Sequence, residues 1–219
     1  MTKEENAMAK VLTYLFDPLC GWCYGASSTV TAASQLPDVT LQLMPTGLFS
    51  GQGARLMDDD FAQYAWSNDQ RIARLTGQRF TENYRQQVLS DQSQAFDSGP
   101  ATVALTAVSL TAPEHELEAL KAIQHARYID GNNVTSREML AGWLEQRGLH
   151  EAANLIAQPD NALLQANQSR INYARLLMQE FGAQGVPNFI LDDGKERRIL
   201  PTGKVFSNSQ DFIQEINNA

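Results

Sequence analysis

Cysteine is scarce in this 219-residue chain: there are two, Cys20 and Cys23, and no second pair. A structural zinc site needs four ligands, and the three histidines, His115, His125 and His150, lie far along the chain from the cysteines. No metal is therefore expected. Each histidine reads as an ordinary surface or core residue rather than a catalytic base. Positive charge is also short, with 17 Lys and Arg against 25 Asp and Glu, a formal net charge of -8. That balance argues against nucleic acid or an anionic membrane as partner. No apolar run approaches the length of a membrane span, and there is no low-complexity tract. The start, Met1 to Asn6, is charged and lacks the apolar stretch and small-residue cleavage site of a signal peptide, so a cytoplasmic protein is expected. In a reducing cytosol two lone cysteines are better suited to catalysis than to a structural staple.

The two cysteines are three residues apart, in Cys20-Gly21-Trp22-Cys23. Before them Val11 to Phe16 is an apolar, β-prone run that reads as a buried strand. After them Tyr24 to Ala33 is rich in small residues and reads as a helix. Strand, Cys-x-x-Cys, helix is the arrangement that redox chemistry requires. A helix start turns unpaired N–H groups and the positive end of its dipole towards the first sulfur. Thiolate, the attacking species, is favoured there. Spacing of i, i+3 on a first turn also brings the two Cα atoms into disulfide range.

Pro37-Asp38 turns the chain into Val39 to Met44, a second strand; with about 15 residues of helix between the strands this is a right-handed βαβ unit. The glycines of Pro45 to Gly53 lack the Lys-Ser/Thr ending of a phosphate-binding loop, leaving an ordinary loop. From Ala54 to Gln158 no strand is expected, only four to six helices. One spans Asp58 to Leu75, with Phe61, Tyr64, Ala65, Ile72 and Leu75 at helical spacing. A shorter one covers Phe80 to Leu89. The next opens at Ser98-Gly99-Pro100, with Ser98 as N-cap, and runs to Leu110. Another covers Glu114 to Ile129, and Thr135 to Glu138 is a capping-box match opening a helix to Arg147. Asn161 to Phe181 is the longest, capped by Asp160 and stopped by Gly182, with Leu163, Leu164, Ile171, Leu176 and Leu177 on its buried side. Strands follow at Gly185 to Leu191 and Arg197 to Leu200, around a hairpin turn at Asp192 to Lys195. Ser207-Asn208-Ser209 caps a last helix through Ile216. The expected fold class is α/β: a four-stranded mixed sheet covered by helices, interrupted by an all-helical block.

Phe16 to Tyr24, the long helical block and Gly185-Val186-Pro187-Asn188-Phe189 together resemble the DsbA-like branch of the thioredoxin superfamily, and within it the cytoplasmic FrnE-like or disulfide-isomerase-like proteins. The resemblance covers nearly the whole chain. It implies a thioredoxin-like domain over 10–53 and 159–219 and a helical insertion over 54–158. It implies thiol–disulfide exchange in which Cys20 attacks and Cys23 resolves, with no cofactor beyond the Cys20–Cys23 disulfide and with protein thiols, disulfides or glutathione as partners. It implies a cis peptide before Pro187, packed against the cysteines, and a Val186 backbone offered to substrate. The oxidases of this family carry a His between the cysteines; here Gly21 and Trp22 stand there, so their oxidising power is not carried over. Glutathione-dependent isomerases and kappa-class glutathione transferases of the same fold, the alternative reading, generally use a serine and no second cysteine. Trp22 is expected to be an exposed substrate contact. Asp17 is either a proton shuttle or a turn residue before Pro18, and if close and ionised it would oppose the thiolate.

Overall fold

The computed structural model describes residues 9–219; the charged segment Met1 to Asn6 lies outside them. The first strand, β1 (Lys10–Phe16), is followed by α1 (Gly21–Gly25), α2 (Ser27–Ser34) and β2 (Val39–Pro45). β1 pairs in parallel with β2, so the βαβ unit is present. Its helix is not continuous. The N–H of Ala26 is shared between the carbonyls of Trp22 and Cys23, and a bend there separates α1 from α2.

The next elements are β3 (Arg55–Leu56), α3 (Asp59–Thr76), α4 (Glu82–Tyr84), β4 (Ala95–Phe96), α5 (Gly99–Thr111), α6 (Glu116–Tyr128), α7 (Arg137–Gln146) and α8 (His150–Ala157). Asp58, expected as the first residue of this helix, is instead the N-cap of α3, its carboxylate accepting from Phe61 N–H at 2.7 Å. α4 runs directly into one wide π turn, Arg85–Leu89. Two further expectations fail here. β3 and β4 pair antiparallel, two residues each, inside the segment expected to hold no strand. Such short strands carry no periodicity to read. The cap of α7 is Ser136, which accepts from Met139 N–H at 3.2 Å, one residue beyond the capping-box position.

α9 (Asn161–Glu180) starts at Asp160, which accepts from Leu163 N–H at 2.8 Å, and ends before Gly182 at φ 65. β5 (Asn188–Asp192) and β6 (Arg197–Ile199) follow, then α10 (Gly203–Ser207) and α11 (Ser209–Asn217). β5 runs antiparallel to β1 and β6 antiparallel to β5, giving the order β2-β1-β5-β6. β1 is thus interior, which is why it reads as an unbroken apolar run.

Strand alternation divides the core. Leu15 and Ile190 face α9 and pack with Ala174 and Leu177. Leu12, Tyr14, Phe16, Phe189 and Leu191 face the other way, into a core continuous with the buried side chains of α5 to α8. Tyr14 stacks between Phe16 and Phe189, at centroid separations of 5.1 and 5.0 Å. Four side chains expected in the core, Tyr64, Leu75, Leu164 and Leu176, are instead exposed, because each apolar stripe is narrower than its spacing implied.

Candidate active site

Phe16 ends the interior strand, and the chain turns over Asp17-Pro18-Leu19 before α1 starts. Cys20 is the N-cap of α1, and its Sγ accepts from the Cys23 N–H at 3.4 Å. Such a bond strengthens when the acceptor carries charge. The Cys20 thiol also donates to the Val186 carbonyl at 3.6 Å, across 166 residues of sequence. The Val186–Pro187 peptide is cis, as the resemblance implied. Cys20, Val186 and Pro187 therefore meet at the end of β1 next to the entry of β5.

Both cysteines are free thiols and both are largely covered, but not alike. Cys20 keeps 6% of its surface and lines a cavity of about 200 Å³; Cys23 keeps none. Burial pushes the Cys23 thiol well above its usual pKa, helped by the adjacent Cys20 and by the charge of Asp17. Alkylation should accordingly modify Cys20 first. Cys23 has no exposed surface and is held protonated by burial, so a rate ratio above about ten, the population change of one pKa unit, is expected in peptide mass spectra of partly labelled protein. Equal rates would contradict the geometry.

Asp17 is fully buried, and three donors converge on it. Its Oδ1 accepts from Leu19 N–H at 3.0 Å, and its Oδ2 accepts from Phe49 N–H at 3.1 Å and from the Ser98 hydroxyl at 2.7 Å. Burial raises its pKa against these hydrogen bonds, which pull the other way. Ser98 is thereby corrected. It makes no side-chain cap on α5 and instead fastens that helix to the active-site turn.

Trp22 is half-buried rather than exposed. Its ring meets Phe206 of α10 edge-on at 5.0 Å, with the Arg71 guanidinium 5.6 Å above it. Two tyrosines escaped the sequence reading. Tyr14 donates to the Cys23 carbonyl at 3.1 Å and Tyr128 to the Leu19 carbonyl at 2.8 Å, gripping the motif's backbone from β1 and from α6. The cavity beside Cys20 is mainly aromatic, with Trp22, Phe49, Phe61 and Phe96 in its wall. It contains one carboxyl, that of Asp69. A signal for Asp69 was available: Ala65, Asp69 and Ile72 fall on one face of α3, so a carboxyl interrupts an apolar stripe. A larger cavity of about 640 Å³, lined by residues of α2, α6 and α7, touches neither cysteine. The three histidines all lie at the surface.

Among described residues no three His, Cys, Asp or Glu side chains are grouped to hold a metal, and no helix is long and apolar enough to cross a membrane. The arrangement can place one accessible sulfur against a ligand in the cavity, with a second sulfur behind it.

Known proteins share this plan. The family model described as the DSBA-like thioredoxin domain matches residues 11–215. The cytosolic disulfide reductase DsbM from Pseudomonas aeruginosa is 31% identical, with 95% of this chain and 97% of that chain covered and a TM-score of 0.85. The structure of the same protein with GSH is 30% identical over 95% and 98% of the chains, with a TM-score of 0.80. No curated protein sequence matches.

Proposed function

The chain belongs to the DsbA-like thioredoxin-domain family and is a thiol–disulfide oxidoreductase, and from that premise we propose that it reduces or reshuffles disulfides through Cys20-Gly21-Trp22-Cys23, with glutathione as its electron donor. One observation carries the reading: Cys20 Sγ opens on a cavity, while Cys23 lies sealed directly behind it. Cys20 thiolate attacks a substrate disulfide, its S–S bond breaks, and one substrate thiol leaves. Cys23 loses its proton and attacks the Cys20 sulfur, which releases the second thiol and closes the Cys20–Cys23 disulfide. Two glutathione molecules then restore the dithiol in successive exchanges and depart as glutathione disulfide. In the isomerase variant of this cycle the first thiol returns to a different sulfur of the same substrate. The high pKa of Cys23 suits it to act second, after the mixed disulfide has formed.

The Val186 carbonyl, which accepts from the Cys20 thiol, is the backbone group we assign to substrate alignment, with Pro187 fixing its direction. Trp22 supplies one wall of the substrate cavity. DsbM is described as cytosolic, and a structure of it contains GSH; both support glutathione as co-substrate here and a cytoplasmic location.

The test is equilibration against buffers of reduced and oxidised glutathione, with the Cys20–Cys23 disulfide quantified by mass after acid quenching. A single two-electron transition is expected, together with repeated reduction of a small disulfide at the expense of glutathione. Failure to form the internal disulfide at any buffer ratio would overturn the proposal. A protein with scrambled disulfides, refolded at fixed buffer potential, separates isomerase from reductase activity.

A further inference from the structure

Asp69 has no place in the cycle above, yet it faces the same cavity as Cys20. It lies on α3, 5% exposed, and its Oδ2 accepts from the Tyr84 hydroxyl at 2.9 Å. Among described residues that is its only hydrogen bond, so Oδ1 is left for the cavity. Oδ1 stands 2.4 Å from the point a Cβ would occupy on Gly21, the residue next to Cys20. Gly21 thus leaves the space that this oxygen fills, and consecutive Cα atoms are only ~3.8 Å apart. The charged and titratable groups facing the carboxyl are Tyr84 of α4 and Tyr128 and Arg127 of α6, and Cys20 lines the same cavity. Arg127 is buried, its guanidinium over the Tyr84 and Tyr128 rings at 5.4 and 5.7 Å.

We propose that Asp69 is the proton donor to the thiol expelled when Cys20 attacks a disulfide in this cavity, and the acceptor of the glutathione proton in the returning half-reaction. The inference rests on the oxidoreductase reading. In the first step Cys20 thiolate forms a bond to one substrate sulfur, the S–S bond breaks, and the departing thiolate takes the proton from Oδ1. Asp69 is left ionised. In the return step a glutathione thiol gives its proton to Asp69, and the resulting thiolate attacks the Cys20 sulfur. No proton or electron is gained or lost by Asp69 over the cycle.

Burial raises the Asp69 pKa to about 7, while the Tyr84 hydroxyl and the Arg127 charge hold it back from rising further. A carboxyl near 7 is far better matched to a thiol than an ordinary one near 3.8. It is protonated and able to donate below about pH 7, and loses that ability as pH rises above it. The same titration affects stability. The folded pKa is raised, so the contribution is complete below the ordinary carboxyl value and is lost as pH climbs to about 7.

Asp69→Asn tests the assignment with two disulfides of different leaving group. An alkyl thiolate needs a proton to leave readily; a nitro-aromatic thiolate does not. The variant should lose on the order of 10² in kcat/KM for the alkyl disulfide at pH 6.5, and little for the aromatic one. The inflection near pH 7 in the wild-type profile should disappear. Its melting temperature relative to wild type should rise between pH 5 and pH 8, which confirms both folding and the neutral carboxyl. Equal losses on both substrates would assign Asp69 a purely structural role, and unchanged alkyl kinetics would remove it from the cycle; either overturns the proposal. If the wild-type protein reduces neither disulfide with glutathione, the oxidoreductase reading itself fails, and this inference with it.

Discussion

Cys23→Ser, exposed to a disulfide-bonded protein, should accumulate a covalent adduct that added reductant releases, whereas Cys20→Ser should trap nothing and lose all turnover. A serine oxygen cannot form the mixed disulfide, so Cys20→Ser leaves only the uncatalysed background. Cys23→Ser leaves the attack itself untouched. The Cys23 N–H that reaches Cys20 Sγ belongs to the backbone and survives the change. What disappears is the intramolecular escape. A tethered, oriented sulfur acts at an effective concentration far above that of any free thiol, so release by external glutathione should be slower by on the order of 10³ or more. Non-reducing gels of the two variants read the result directly. Equal trapping by both would reverse or erase the assigned roles. Full turnover by Cys23→Ser, with no adduct, would instead favour the glutathione-dependent isomerase chemistry that needs one sulfur alone.

Asp17→Ala should be the most destabilising substitution at the site. The carboxylate collects the N–H groups of Leu19 and Phe49 and the Ser98 hydroxyl, all at hydrogen-bond distance; Leu19 and Ser98 are buried and Phe49 is part-buried. A buried donor left without its acceptor costs about 1–3 kcal/mol. Two such donors, with a third part-buried one, imply about 4 kcal/mol. In a protein of this size that is a fall in melting temperature of roughly 8–16 °C. Asp17→Asn should recover little, because its amide N–H₂ would face donors. Thermal melts of the two variants decide between the readings of Asp17. A group acting only as proton shuttle would slow exchange and leave the melting temperature in place.

The elements that carry the site were legible because their signals are local. Val11 to Phe16 is apolar but for Thr13 since both faces of β1 are covered, and Asp160 caps α9 through a bond three residues long. Cys20 and Cys23 identify themselves by spacing. The partners of these residues were not legible, because they come from far along the chain. A serine before Gly-Pro has every local mark of a helix cap, and only the fold reveals that Ser98 serves Asp17, 81 residues away. Arg127, near the end of α6, looks like a helix-dipole partner. In the structure it is buried among the rings of Tyr84, Phe96 and Tyr128, and its Nε finds no hydrogen bond among the described residues. Trp22 looked like an exposed contact because nothing nearby covers it; Phe206, its cover, lies on α10, a helix the sequence did not announce.

The strand order has a consequence for biosynthesis. β1 is made first, but its antiparallel neighbour β5 is near the other end of the chain, and so is Val186, whose carbonyl receives the Cys20 thiol. A ribosome adding about 5–20 residues per second takes roughly 10–30 s to cross that interval. For that time β1 has an open edge on the β5 side, and Cys20 and Cys23 have emerged without the wall that later encloses them. The cavity walls from Trp22 to Tyr128 can form while the chain is still growing, but the Val186 carbonyl is missing from Cys20 until residue 186 has been made. Until then the dithiol is open to glutathione and to disulfides that it cannot align.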